Sequence, residues 1–132
     1  IPQASSTPPP AANRDERIAQ GKVIYTTVCA ACHQPEGQGI PRAFPPLAKS
    51  DYLNADTARA ISTVIHGLTG KVTVNGETYE SIMPQLALND EQISSVLTYV
   101  FSSWGNNGTE VSPAMVVEVR AKPAPTPAAG AH

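Results

Sequence analysis

Two thiols and an imidazole fall within five consecutive residues, Cys29-Ala30-Ala31-Cys32-His33, and no other cysteine exists in the chain. The spacing C-x-x-C-H is the attachment pattern of c-type haem. The sulfurs sit one helical turn apart, so each can add to a vinyl group of the same porphyrin as a thioether. The adjoining imidazole can then bind the iron as proximal ligand. Competing chemistries need more than the chain offers. A structural zinc site takes about four nitrogen or sulfur ligands, whereas this chain has two Cys and three His, one of them the terminal His132. A redox-active dithiol needs a βαβ setting, and no buried parallel-strand run flanks the pair. A disulfide is poorly suited to two residues within one turn. With both thiols carrying haem, none is left free.

The rest of the chain is modest in size. Its 132 residues allow one domain plus tails, with 5% aromatic residues and 13 Pro. Proline, alanine, serine and threonine crowd both ends, where few large apolar side chains could offset the entropy of ordering. Residues 1–13 are therefore expected to be a linker. Residues 14–105 would form the haem domain, and residues 106–132 an extension with a short helix and a disordered tail. So small a core is marginal by itself, and a buried porphyrin would supply the missing apolar mass. The apoprotein should then fold poorly. A net charge of −2 and the lack of a basic stripe argue against nucleic acid as a partner. No apolar run reaches the length of a membrane span. The chain opens Ile1-Pro2 without initiator Met or signal peptide, as a processed form or an excised segment would. Attachment of haem to C-x-x-C-H occurs outside the bacterial cytoplasm, so the expected location is the periplasm.

The elements that must position the motif are mainly helical. Asp15 to His33 reads as one helix, with Ile18, Gly21, Ile24, Tyr25 and Val28 at three- and four-residue intervals. Gly21 in its middle costs about 1 kcal/mol against Ala, which predicts close approach of another helix there. Gln34 to Ala55 reads as a Gly- and Pro-rich loop long enough to wrap a cofactor edge. Asp56 is placed to cap a helix from Thr57 to about His66, with Ile61, Val64, Ile65 and Leu68 on one face and Gly67 and Gly70 closing it. Val72 to Tyr79 carries β-branched residues around Asn75-Gly76, the signature of a type I′ hairpin. Asn89 and Gln92 form a capping box for a final core helix whose stripe runs Ile93, Val96, Leu97, Val100, Phe101 and Trp104, stopped by Gly105 to Gly108. Ser112 and Pro113 then open a short extra helix containing Met115 to Val119.

A low-spin haem that only relays electrons needs a second axial ligand, and Met83, Met115 and His66 are the candidates. Met83 precedes Pro84, which fixes the backbone between hairpin and final helix. Met115 lies in an apolar helix, where methionine ordinarily fills core space. His66 falls opposite the apolar face of its helix, with solvent as its expected address. Met83 is the preferred ligand. A thioether favours ferrous iron and raises the potential relative to a second imidazole.

Taken together, Gly21 and Tyr25 on a first helix, the Cys29-to-His33 pentad, Phe44-Pro45-Pro46-Leu47, Met83-Pro84 and Val96 with Tyr99 on a capped last helix resemble class I cytochrome c, over about Arg14 to Gly105. The resemblance implies an all-α fold, here with a small β-hairpin before the Met loop, and electron transfer as the function. It implies that Gly21 and Tyr25 meet Val96 and Tyr99 where the first and last helices cross. A proline carbonyl on the far nitrogen of the proximal imidazole is also implied, Pro45 by position with Pro46 as alternative. Arg42, Tyr52, Tyr79 and Trp104 are candidate donors to the haem propionates. Four segments, Phe44 to Asp51, His66 to Gly70, Val74 to Gly76 and Ser103 to Asn106, are similar to haem c domains fused to copper nitrite reductases, and similar domains serve dehydrogenases as cytochrome subunits. The fused case implies electron delivery to a type 1 copper; the alternatives are a free-standing periplasmic cytochrome and a dehydrogenase subunit.

Overall fold

A computed structural model describes residues 11, 13–40, 43–80 and 82–122. The expected linker at 1–13 and the tail beyond Lys122 lie almost entirely outside the described residues. The chain opens with α1 (Arg14–Ile24), which continues through a π-helical turn (Tyr25–Cys29) into α2 (Ala30–His33). There follow α3 (Asp51–Ala55), α4 (Thr57–His66), the strands β1 (Lys71–Val74) and β2 (Glu77–Glu80), α5 (Asp90–Phe101) and α6 (Pro113–Arg120). Among the described residues no helix is long and apolar enough to cross a membrane.

Local signals account for most of these boundaries. Asn13 accepts from the Glu16 amide to start α1, and Asp56 accepts from the Arg59 amide to start α4. Asn89 and Gln92 bond reciprocally at the head of α5, satisfying two backbone donors that the first turn leaves without intrahelical partners. The hairpin pairs Val72 with Tyr79 and Val74 with Glu77, and its turn places Asn75 and Gly76 at φ 52° and 83°, the left-handed pair that a type I′ turn requires.

Three expectations need correction. The segment 34–55 is not all loop: Ser50 accepts from the Leu53 amide and nucleates α3. The final core helix ends at Phe101, and Trp104 lies past it at φ 52°, off the helical stripe. At the α1–α5 crossing, Gly21 meets Ser95 and Tyr99: a Cβ on Gly21 would fall 1.9 Å from the Ser95 carbonyl oxygen and 2.8 Å from Tyr99 Cβ. Tyr99 thus meets Gly21 and Tyr25 as expected, whereas Val96 lines the interior cavity. One residue along a helix rotates the side chain by about 100°, which separates Val96 from Ser95.

The second side of α5 is also buried, and by polar residues. Ser94, Ser95 and Thr98 are all at most 1% exposed. Ser94 Oγ donates to the Val111 carbonyl at 2.6 Å, and Thr98 Oγ1 accepts from the Val111 amide at 2.9 Å. The chain after α5 is thereby tied down, and Val111, Val116 and Val119 join the main core. Arg17 of α1 closes this side, donating to Ser94 Oγ and pairing with Glu91 at 3.2 Å and Glu110 at 3.4 Å. Its side chain is only 11% exposed, so removing it strands partly buried charge. Arg17→Ala should cost about 2 kcal/mol, below the full cost of breaking a buried pair because Glu110 reaches solvent. Arg120→Ala, which removes the exposed pair with Asp90 at 2.8 Å, should cost at most about 0.5 kcal/mol. Urea unfolding of the haem-loaded variants checks both values.

Candidate haem site

The helices, the 43–50 segment and the hairpin enclose a cavity of about 780 Å³, counting its open mouth. Its wall takes Cys29, His33, Pro45, Pro46 and Leu47 from the motif and the loop after it; Ser50, Tyr52 and Leu53 from α3 and its cap; and Ala60, Thr63 and Val64 from α4. Leu68, Val72, Val74, Met83 and Leu86 close a further side, and Val96, Leu97 and Val100 of α5 form the back. Among the described residues no Asp, Glu, Lys or Arg lines it. A wall of this character suits a large flat apolar ligand held by a few specific groups.

His33 is built into this wall by the loop that follows it. Gly39 donates its amide to the His33 carbonyl at 2.9 Å, and the Gly37 carbonyl accepts from the Leu47 and Ala48 amides at 2.7 and 2.9 Å. The chain therefore doubles back and brings the Pro45 carbonyl to 2.9 Å from His33 Nδ1. Gly37 sits at φ 67°, with the Trp104 ring 2.6 Å from where a Cβ would stand, so both its conformation and its neighbour demand glycine. The tautomer follows from chemistry: a proline carbonyl only accepts, so Nδ1 carries the proton and Nε2 keeps its lone pair. Burial pulls the His33 pKa below its usual value, opposed by the bond to Pro45, and the neutral ring is the form able to ligate a metal.

Cys29 lies in the cavity wall, and Cys32 is half-buried beside it. The two are free thiols, not a disulfide. Burial, and then the neighbouring Cys32, push the Cys29 thiol up to about 12, so it stands as a neutral SH. Among the described residues no group of three or more His, Cys, Asp or Glu could hold a bare metal ion.

The rivals to Met83 stand elsewhere. Met115 Sδ accepts from the Ser112 amide at 3.4 Å within the cap of α6 and packs against the main core. His66 does not point freely to solvent as its helical angle suggested: it is half-buried, its Nε2 shielded and without a hydrogen-bond partner. Neither lines the cavity. Of the candidate propionate donors, Arg42 lies outside the described residues and Tyr52 is in the wall. Tyr79 is buried in the hairpin's own cluster, and Trp104 stacks with Tyr25 and Tyr99 at ring-centroid distances of 5.3 and 5.6 Å. Sequence reasoning missed Ser50, Leu53, Ala60 and Thr63 as wall residues; the Ser50 cap was the available signal for the first two.

A mainly helical frame closed by one small hairpin, with a C-x-x-C-H turn in the wall of an apolar cavity, defines a haem-carrying domain. A family model described as Cytochrome c matches residues 18–104. Cytochrome c-552 of Thermus thermophilus is 42% identical over 93 residues, covering 67% of this chain and 70% of that protein. The alcohol dehydrogenase (quinone) cytochrome c subunit of Gluconobacter oxydans (strain 621H) is 31% identical over 114 residues, covering 83% of this chain and 24% of the subunit. The fructose dehydrogenase cytochrome subunit of Gluconobacter japonicus is 30% identical over 116 residues, covering 80% of this chain and 23% of the subunit. The chain belongs to the cytochrome c family, and with that membership comes a covalently bound haem c with its iron. The residues present fit the group: two thiols, a neutral imidazole with an unshared Nε2 lone pair, and a wall that carries no charged side chain among the described residues.

Proposed function

We propose that Cys29 and Cys32 hold the haem as thioethers, that His33 and Met83 are its axial ligands, and that the chain carries single electrons between redox proteins of the periplasm. The observation that supports this reading best is that Cys29, His33 and Met83 share the wall of one apolar cavity. When bound, the haem supplies a one-electron iron couple whose potential the axial ligands set. The protein's own contribution is positional. The Pro45 carbonyl holds the His33 ring in one orientation and raises the basicity of Nε2. Met83 offers a soft thioether and fills the position that a small-molecule substrate would need. The wall from α4, α5 and the hairpin keeps water out, so few dipoles reorganise when the charge changes.

For the partner, we propose the type 1 copper of a nitrite reductase, with this chain as a haem domain tethered through residues 1–13 and followed by the extension at 106–132. This finer reading rests on the four sequence segments that resemble such fused domains; the relatives named above carry other names. A second reading, service to a dehydrogenase, is favoured by the reach of the alcohol dehydrogenase subunit match over 83% of the chain. Stopped-flow mixing of the reduced protein with a type 1 copper nitrite reductase and with a quinone-dependent dehydrogenase separates the two. Fast oxidation by the copper protein supports the first reading, and no exchange with it overturns that reading.

The ligand assignment has its own test. The oxidised protein should show the weak near-infrared charge-transfer band of thioether–iron coordination, and Met83→Ala should abolish it. The reduction potential should fall by about 0.1 V or more, within the roughly 0.8 V that axial ligands span. A variant with an unchanged spectrum would exclude Met83 as the ligand.

A further inference from the structure

Met83 is held by more than the proline after it. Leu68 and Met83 exchange backbone hydrogen bonds, each amide donating to the other's carbonyl at 2.8 Å. The hairpin's outermost pair is Lys71 with Glu80, and Leu68 and Met83 form an isolated antiparallel bridge three positions before Lys71 and three after Glu80. The bridge keeps the hairpin's register, but the ladder itself ends at Lys71 and Glu80, and Gly70 at φ 95° turns the chain between the two. Side chains two apart on a strand share a face, and Met83 shares the cavity wall with Leu68, Val72 and Val74. A slip of one residue would turn that whole set the other way.

The far end of the ladder is also anchored. The Asp51 amide donates to Asn75 Oδ1 at 2.9 Å, and the Asn75 amide donates to Asp51 Oδ1 at 2.7 Å. This reciprocal pair ties the hairpin's turn to the first turn of α3. Next to it, Tyr52 packs on the hairpin cluster of Val72, Val74 and Tyr79. Arg59 lies 3.7 Å over the Tyr52 ring and donates to the Tyr52 carbonyl at 2.7 Å. A two-stranded hairpin alone is marginal in water, so its register must be held from outside.

We infer that the hairpin is the strut that aims Met83, and that Asp51 is a positioning residue acting through Asn75, the hairpin and the separate Leu68–Met83 bridge on the thioether. The inference rests on the reading of Met83 as the distal ligand. When the Asp51–Asn75 pair opens, the Leu68–Met83 bridge would open with it and Met83 would leave its position intermittently.

The test uses the haem-loaded protein. Asp51→Ala removes the acceptor for the Asn75 amide and leaves the turn's own residues intact. Asp51→Asn keeps an Oδ1 acceptor while removing the same charge from the first turn of α3, so it controls for the helix dipole. In Asp51→Ala, exchange of the Met83 amide should rise roughly tenfold, as expected for an opening equilibrium that loses a net hydrogen bond. Carbon monoxide binding to the ferrous protein should accelerate by a similar factor, and the near-infrared band should bleach at lower temperature. Asp51→Asn should remain near the parent in all three. If Asp51→Ala leaves all three unchanged while Met83→Ala abolishes the band, the strut is overturned and the ligand reading stands. If Met83→Ala keeps the band, the ligand reading falls and takes the strut with it.

Discussion

A Cys29→Ser, Cys32→Ser double variant should be recovered colourless, with no added porphyrin mass and without a fixed tertiary structure. The cavity that Cys29 borders measures about 780 Å³ with its open mouth. At about 24 cal/mol per Å³, the roughly 90 Å³ of it that is enclosed would cost about 2 kcal/mol if left dry, a large share of the whole stability of a small domain at about 5–15 kcal/mol. Flooding it is no better, because water there finds Leu53, Val64, Leu68, Val72, Val74 and Leu97 and hardly a polar partner. Collapse of the wall is the remaining course. Near-ultraviolet circular dichroism should vanish, far-ultraviolet signal should persist in part, and a hydrophobic dye should bind. Haem added back without covalent attachment should restore part of the near-ultraviolet signal, since His33 and Met83 are intact. A colourless variant that keeps native near-ultraviolet signal and sharp unfolding would mean that the protein frame stands without its cofactor.

Features written in residues that bond to their own neighbours were legible in the sequence. Asn89 with Gln92, Asp56 with Arg59, Ser112 with Met115, and the Asn75-Gly76 turn each concern three or four consecutive positions. Their geometry hardly depends on the rest of the fold. The C-x-x-C-H spacing is of the same kind, which is why the cofactor was readable before any tertiary contact was known. α3 was missed because the prolines and glycines of 34–50 masked a short helix that only Ser50 announces.

What stayed hidden depends on which faces meet. Ser94, Ser95 and Thr98 look like the solvent side of α5, yet Gly21 and Val111 cover them. Their hydroxyls are buried at little cost where the backbone of a neighbouring segment supplies partners, as it does for Ser94 and Thr98. No single-helix pattern distinguishes such a face from a wet one. The same limit left Ser95 unseen as the partner of Gly21 beside the expected Tyr99, since the depth of a helix crossing turns on a rotation that periodicity does not specify. His66 shows it again: its helical angle pointed outward, and neighbouring chain shields its Nε2 all the same. For the cavity, the motif, Pro45 and Met83 could be named in advance, whereas the hairpin's part in the wall required seeing Val72 and Val74 face inward.

Gly21→Ala sets two effects of opposite sign against each other, and the crossing should win. By helix propensity alone, alanine at a mid-helix position stabilises by about 1 kcal/mol over glycine. Gly21 is buried, however, and the new Cβ would meet the Ser95 carbonyl oxygen at 1.9 Å and carbon at 2.6 Å. Those atoms are backbone in the middle of α5, so no rotamer change relieves the overlap. The helices must separate or tilt, loosening Tyr25 against Tyr99, whose ring centroids lie 5.6 Å apart. Overpacking a well-filled core costs typically 1–3 kcal/mol. A backbone-to-backbone crossing belongs at the upper end, about 3 kcal/mol, so after the propensity gain of about 1 the expected net loss is about 2 kcal/mol. Denaturant unfolding of the haem-loaded variant measures it, with Ala19→Gly on the exposed side of α1 as the control that isolates propensity. That control should lose about 1 kcal/mol. If Gly21→Ala proves more stable than the parent, the close crossing of α1 and α5 is wrong, and Gly21 is there for some reason other than contact.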